Sequence, residues 1–323
     1  MFSYRHAFHA GNHADVLKHA ILVQILDYFN QKDAPYWVID THAGAGLYAL
    51  NGEWAGQSGE VTEGLDRVLG QPQPPLLVER YLRAVQDFNP DGMANLYPGS
   101  PCLALHAMRP QDRLRLFELH PTEGQVLEDT LRRQVKASPR QVAVARSDGF
   151  TGLNRLLPPP PRRGLIVIDP SYEDKHDYRS VMQALRSGLQ RFAQGCFIVW
   201  YPLIQRVQAH EMVRSMEHLP GAPWLNASLT VHKPSADGLG MHGSGIFVVN
   251  PPWTLEAELR TALPWLKTAL AQDDQARFNL STSQDPRPTK FGPGSSTDRP
   301  GKPHPGSSRA SGKGPQKRSP SRK

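Results

Sequence analysis

The sequence predicts an α/β protein with a seven-stranded, mostly parallel sheet and helices on both of its faces. Short apolar runs that end in turn residues alternate with segments of helical spacing, the pattern typical of strand-helix-strand units. The apolar runs are residues 36–39, 114–119, 142–145, 165–168, 196–201, 225–231 and 246–249. Helical spacing is clearest at Val16, Leu17, Ile21, Ile25 and Leu26, and at Val181, Leu185, Leu189 and Phe192. We expect both helices to cover the sheet.

The chain divides into a folded body, residues 1–280, and a basic tail, residues 281–323. The tail holds ten Lys and Arg against two Asp and Glu, and 23 of its 43 residues are Pro, Gly or Ser. Such a segment buries too little apolar surface to offset its ordering entropy, so we predict a disordered tail. Within the body, about seventy residues separate the first two strands, which predicts an inserted helical subdomain at about residues 50–105.

Charge and cysteine usage exclude several protein classes. The net charge is +7, but the body holds 27 Lys and Arg against 28 Asp and Glu, so it is no uniformly basic binding fold. Two cysteines without a C-x-x-C pair exclude a disulfide scaffold. The N-terminus carries no apolar leader, and the longest apolar stretch, residues 196–204, is about half a membrane span. We expect a cytoplasmic monomer without a membrane partner.

Acidic residues follow the first three predicted strands. The first strand ends at Asp40 and runs into the small-residue segment 41–46, where the backbone can approach a ligand at the carboxyl edge of the sheet. The dinucleotide fingerprint G-x-G-x-x-G is absent, which favours S-adenosylmethionine over NAD. Glu118, which closes the second strand, is suited to ribose hydroxyls, and Asp148 with Gly149, after the third, to an adenine amine.

The fourth strand is followed by Asp169-Pro170-Ser171-Tyr172. An exocyclic amine of a base is a poor nucleophile because its lone pair is delocalised into the ring. The Asp169 carboxylate and the Pro170 carbonyl are suited to accept its two protons and to aim the lone pair at a methyl sulfonium. Tyr172 would then stack on the flipped base. The alternative is a proline-fixed turn with a buried tyrosine.

A similar string, Asn250-Pro251-Pro252-Trp253, follows the last apolar strand. If that strand is an antiparallel edge strand, its carboxyl end opens on the side of the sheet opposite Asp169. We therefore interpret this string as a structural strand exit.

The segment 4–19 is rich in aromatic, cationic and histidine residues. His9 and His13 have the spacing of a metal pair, but no cysteine or H-E-x-x-H pattern accompanies them. A helix N-terminus at Asn12 or His13, with Asp15 in the first turn, explains the segment better. The side chains Tyr4, Arg5, His6 and Lys18 are predicted to contact a nucleic acid.

The strings 4–6, 9–19, 40–46 and Asp169-Pro170 with Tyr172-Glu173 together resemble the bacterial RlmJ family. The resemblance covers residues 1 to about 280 and implies a class I methyltransferase that uses S-adenosylmethionine, without a metal, to methylate adenine N6 in 23S ribosomal RNA. It implies Asp169 as the catalytic aspartate and Tyr4 as an RNA contact. The implied donor site comprises His19, His42, Ser100, Glu118, Asp148, Gly149 and Asp169. One departure is Ser171, where the family has a second proline.

Two other classes of function remain open from the sequence. A DNA adenine-N6 or protein-amide methyltransferase shares the sheet and the acid-proline-aromatic turn. A non-catalytic RNA-binding protein shares the fold and tail but has no need of acids at the strand ends.

Overall fold

A computed structural model of the chain describes residues 9–50 and 61–284. It confirms the alternation of strands and helices. The strands are β1 (Trp37–Asp40), β2 (Leu47–Ala49), β3 (Leu96–Pro98), β4 (Arg113–Phe117), β5 (Val142–Ala145), β6 (Gly164–Ile168), β7 (Cys196–Leu203), β8 (Trp224–Thr230), β9 (Gly243–Val249) and β10 (Arg277–Thr282). The helices are α1 (His13–Asn30), α2 (Leu65–Leu69), α3 (Leu76–Gln86), α4 (Ser100–Ala107), α5 (Pro121–Asp129), α6 (Gly149–Leu156), α7 (Asp177–Arg191), α8 (Val207–Glu217) and α9 (Leu255–Leu270).

The main sheet has eight strands in the order β10-β8-β9-β7-β6-β1-β4-β5. The five strands from β7 to β5 are mutually parallel, and β9 pairs antiparallel with both β7 and β8. The predicted count of seven is therefore one short, and the antiparallel strand β9 is internal rather than at the edge. The additional strand, β10, forms that edge; it is polar and largely exposed, so it lacks the apolar run that marks the others. It also carries the fold to Thr282, past the predicted end at residue 280.

Two helical layers cover the sheet. Alternate strand residues such as Val38, Leu114 and Leu165 pack with α1, α3, α4 and α9, whereas Ile39, Ile166 and Phe197 pack with α6, α7 and α8. Burial on both faces explains why the parallel strands read as continuous apolar runs. Because these five strands are parallel, their carboxyl ends lie at one edge of the sheet, between the two helical layers.

The chain between β1 and β4 contains α2, α3, α4 and a small two-stranded sheet of β2 and β3. Helix α3 packs against α1 and α9, so this stretch lies against the main body. Residues 1–8, which include Tyr4, Arg5 and His6, and nearly all of the predicted tail lie outside the described residues. Within the described ranges, no helix is both long and apolar enough to cross a membrane.

Candidate active site

The carboxyl ends of β1, β4, β5 and β6 surround a cavity of about 550 Å³. All seven residues predicted for the donor site line it: His19, His42, Ser100, Glu118, Asp148, Gly149 and Asp169. The two helical layers bring α1, α4 and α7 to the same edge, so residues from distant parts of the sequence meet there. We name this space the first cavity.

Asp40 supports the wall of the first cavity from behind. Its carboxylate, 1% exposed, accepts hydrogen bonds from Ser100 Oγ at 2.7 Å and from the His42 backbone N–H at 3.1 Å. Burial raises the pKa of Asp40 to about 6, although both hydrogen bonds act in the opposite direction. Asp40 thus fixes Ser100 and the start of the loop that follows β1.

Glu118 ties that loop to β4. Its two carboxylate oxygens accept the backbone N–H groups of Gly44 at 2.8 Å and His120 at 2.7 Å. Gly44 has φ +59°, and a Cβ there would lie 2.4 Å from the Tyr48 hydroxyl, so the loop requires glycine. Burial raises the pKa of Glu118. Each oxygen still has a lone pair for a ligand hydroxyl.

Asp148 and Gly149 begin α6 at the cavity wall. The Asp148 carboxylate caps the helix by accepting the N–H groups of Phe150 and Thr151 at 3.0 and 3.2 Å. A Cβ at position 149 would lie 2.0 Å from the Thr41 carbonyl oxygen, so only glycine permits this approach. His42 packs edge-on against Phe150, with ring centroids 4.7 Å apart. Burial lowers the pKa of His42 to about 4, so its ring is neutral at physiological pH.

Lys18 lies beside Asp169 at the other end of the first cavity. Its ammonium group, on a residue only 4% exposed, bonds to Asp169 Oδ2 at 2.6 Å and to Asp15 Oδ1 at 2.9 Å. Burial alone would lower the pKa of Lys18, but the two carboxylates outweigh it and raise the pKa above the usual value. Two carboxylates thus already neutralise the charge of Lys18, and its contact with a nucleic acid stays a prediction.

The start of α1 is as the sequence predicted. The Asn12 side chain caps the helix by accepting the N–H groups of Ala14 and Asp15 at 2.9 and 3.0 Å. Asp15 in turn accepts the N–H of Gly11 at 3.0 Å. His13 is the first residue of the helix. In the part of the chain that is described, no cluster of three or more His, Cys, Asp or Glu is arranged to hold a metal ion.

Tyr172 occupies a different position from the one predicted. Its ring is 2% exposed and packs against Tyr178 and Trp200, with centroids 4.8 and 5.7 Å away. Its hydroxyl donates to the Trp200 carbonyl oxygen at 2.6 Å, and its backbone has φ +55°. The ring thus fills the interior, and its stacking on a base stays a prediction. The alternative from the sequence, a proline-fixed turn with a buried tyrosine, matches the burial of Tyr172.

A second cavity, of about 310 Å³, adjoins the first cavity at Asp169. Four residues line both cavities: Lys18, Asp169, Ser171 and Glu173. Trp200 on β7 and the loop 238–241 are among its other lining residues. The Trp200 indole N–H is buried and has no hydrogen-bond partner among the described residues. Sequence reasoning missed this cavity, although Trp200, within the apolar run 196–201, was an available signal.

Ser171, the departure from the family pattern, forms part of the wall between the two cavities. Its hydroxyl accepts the Glu173 N–H at 3.5 Å, which is a weak contact. Asn250 behaves as predicted: it follows the antiparallel strand β9, and its amide donates to the carbonyl oxygens of Ala193 and Gly195 at 2.8 and 2.7 Å. The Asn250 string is a strand exit.

Comparison with known proteins shows the family of this chain. A family described as "Ribosomal RNA large subunit methyltransferase D, RlmJ" matches residues 33–281. The ribosomal RNA large subunit methyltransferase J of Escherichia coli (strain K12) is 43% identical over 270 residues, 84% of this chain and 94% of that protein. Its namesake in Haemophilus influenzae is 39% identical over 281 residues, 87% of this chain and 98% of that protein.

A crystal structure of a Legionella pneumophila protein has the same fold. It superimposes with a TM-score of 0.77 at 34% identity and covers 85% of this chain and 99% of its own. The architecture is that of class I methyltransferases, with an open α/β sheet and the ligand cavity at the strands' carboxyl ends. Taken with the family match across most of the body, these likenesses establish that the chain belongs to the RlmJ family.

Proposed function

We propose that this protein transfers a methyl group from S-adenosylmethionine to the exocyclic N6 amine of an adenine in 23S ribosomal RNA. The observation that carries the proposal is the pair of cavities that meet at Asp169. The first, about 550 Å³, has the size of a small-molecule site, and the second, about 310 Å³, lies at the lower end of that range. A donor in the first and a base in the second would face each other across one carboxylate.

The donor set of the first cavity fits S-adenosylmethionine. Glu118 offers lone pairs to ribose hydroxyls, and Asp148 retains acceptor capacity for an adenine amine after capping α6. The glycine backbone at position 44 lines the cavity without a side chain. When bound, S-adenosylmethionine supplies a methyl group activated by a sulfonium.

Asp169 is the residue that acts on the acceptor amine in this proposal. Its Oδ2 is held by Lys18, whereas its Oδ1 has no hydrogen-bond partner in the described chain and is available to one amine proton. The Pro170 carbonyl is suited to accept the other proton. This acceptor pair localises the nitrogen lone pair, and because it is fixed in advance, no reorganisation is needed during transfer.

Lys18 positions the Asp169 carboxylate. Its raised pKa keeps it a cation, so it does not take the proton that the amine must lose after methylation. Asp169 is the group that receives this proton, in contact with the amine throughout. The ion pair therefore orients the acceptor without competing for its proton.

The second cavity suits an unstacked base. Trp200 lines it, and Lys18 Nζ lies 6.0 Å from the centroid of the indole ring. Stacking on an aromatic side chain is worth about 1–3 kcal/mol per base, which offsets part of the cost of flipping. Trp200 thus replaces Tyr172 as the aromatic side chain that we assign to the base.

Methyl transfer to separated macromolecules tests the proposal. Labelled S-adenosylmethionine is incubated with the protein and with ribosomal RNA, DNA or protein extract, and the labelled product is digested and identified. We expect label in ribosomal RNA as N6-methyladenosine, and a loss in turnover on the order of 100- to 1000-fold for Asp169→Ala. Label in DNA or protein but not in RNA would overturn the proposal.

A further inference from the structure

Binding of ribosomal RNA requires cations that are free to meet phosphates. Neutralising phosphates with Lys and Arg, and releasing their counterions, supplies most of the sequence-independent affinity for a nucleic acid. The body has 27 basic against 28 acidic residues, so no general positive field provides this affinity. Lys18 does not provide it either, because Asp15 and Asp169 neutralise it in the interior. The phosphate contacts of the body must therefore be local.

A groove between α7 and α8 carries such a local excess of positive charge. It has a volume of about 650 Å³, is lined by Lys175, Arg179 and Arg186, and adjoins a smaller depression lined by Arg186 and Arg214. All four cations are exposed. The only carboxylate that lines either space in the described structure is Glu211. We call these two spaces together the α7–α8 groove.

The cations of the α7–α8 groove differ from the ion-paired arginines elsewhere on the surface. Exposed Arg83, Arg132 and Arg260 each pair with a carboxylate three or four residues away, at 2.8, 2.6 and 2.6 Å. None of the four groove cations forms an ion pair with a described carboxylate. Their ammonium and guanidinium groups therefore remain available to phosphate oxygens, for which arginine has a matching planar geometry.

The groove lies beside residues that line the two cavities. On α7, Asp177 and Ser180 line the first cavity, while the adjacent Tyr178 and Arg179 line the groove. Arg206, which lines the second cavity, immediately precedes α8. Arg179 and Arg186 are seven helical residues apart, about 10 Å along the axis, so they reach different phosphates. The groove therefore follows the cavity-lining residues along α7 and lies next to the start of α8.

We propose that the α7–α8 groove binds the phosphate backbone of the substrate RNA beside the target adenine. The identity of the RNA rests on the proposed function, whereas the groove itself rests on charge and position. Contacts of this kind fix the position of the RNA and add affinity, and they carry no base specificity. They act before the chemical step, so turnover at saturating RNA does not depend on them.

A paired comparison of full-length variants tests the proposal. The test variant is Arg179→Gln with Arg186→Gln. The matched control is Arg83→Gln with Arg260→Gln, which removes two exposed but ion-paired arginines from α3 and α9, on the other face of the sheet. The affinity of each for a ribosomal RNA fragment is measured across a salt series, together with donor affinity and turnover at saturating RNA.

We expect the test variant to bind RNA about ten-fold or more weakly at low salt. Its salt slope should be shallower by about 0.7 to 0.9 for each phosphate that the variant no longer neutralises. The control should match the parent, and donor affinity and saturated turnover should be unchanged in both. Equal slopes and affinities in the test and control variants would overturn the proposal, as would a loss of saturated turnover without a loss of affinity.

The parent protein separates this proposal from the proposed function. If it binds the fragment and the test variant binds weakly, but no adenine is methylated, the groove is supported and the proposed function fails. If the parent methylates adenine and the test variant binds like the control, the proposed function stands and the groove does not.

Discussion

Replacing Asp40 with asparagine should stabilise the protein at neutral pH and remove one component of its pH dependence. Asp40 is 1% exposed, and burial raises its pKa from 3.8 to about 6. The folded state therefore keeps this proton over a pH range in which the unfolded chain has lost it. The contribution of Asp40 to the free energy of unfolding therefore falls as pH rises from about 4 to about 6, and this contribution is level above that range.

The magnitude follows from the size of the shift. One pKa unit corresponds to about 1.4 kcal/mol, so the shift from 3.8 to about 6 costs the parent about 3 kcal/mol at neutral pH. Asparagine keeps a carbonyl oxygen for the His42 N–H, and its amide can donate to the Ser100 hydroxyl. The variant should therefore retain both hydrogen bonds without the buried charge.

Urea unfolding of the parent and Asp40→Asn between about pH 4 and pH 7 measures this effect. We expect the stability of the variant relative to the parent to rise by about 2 to 3 kcal/mol across that range. Asp33→Asn, at an exposed aspartate, is the matched control for the same change of side chain. A difference between Asp40→Asn and the parent that does not change with pH would refute the reasoning.

Three further changes have defined outcomes. Glu118→Gln should weaken donor binding by about ten- to 100-fold in calorimetry, because the substitution removes a charged acceptor; an unchanged affinity would remove Glu118 from the donor site. Tyr172→Phe removes the hydrogen bond to the Trp200 carbonyl, so it should lower the free energy of unfolding by about 1 kcal/mol and leave turnover within a few-fold. A large loss of turnover would return Tyr172 to the catalytic site. Truncation after Gln284 removes the ten tail cations and should leave the same target adenine but give weaker RNA binding and a shallower salt slope; equal slopes would show that the tail takes no part.

The strand-end acids could be predicted from the sequence because a local pattern determines their position. Parallel strands direct their carboxyl ends to one edge, so an acid that follows an apolar run must lie there. This reasoning placed Glu118, Asp148 and Asp169 correctly at the first cavity. Asp40 also lies at this edge, where it holds Ser100 from behind.

The environment of Lys18 could not be read from the sequence. Lysine is almost never buried unless it is paired, and one of its partners, Asp169, is 151 residues away. The second cavity is also built from segments that are far apart in the chain, including residue 18, the turn at 169–173 and the loop 238–241. Tyr172 adopts a positive φ that no residue pattern marks, and this conformation accompanies a ring packed into the interior.

The measurement that most directly tests the account is a map of N6-methyladenosine in 23S ribosomal RNA from cells with and without this protein. Mass spectrometry of RNA fragments should show one adenine that loses its methyl group when the protein is absent. The parent should restore the methyl group, and Asp169→Ala should not. No difference at any adenine, or full restoration by Asp169→Ala, would contradict the assignment of this site to adenine methylation.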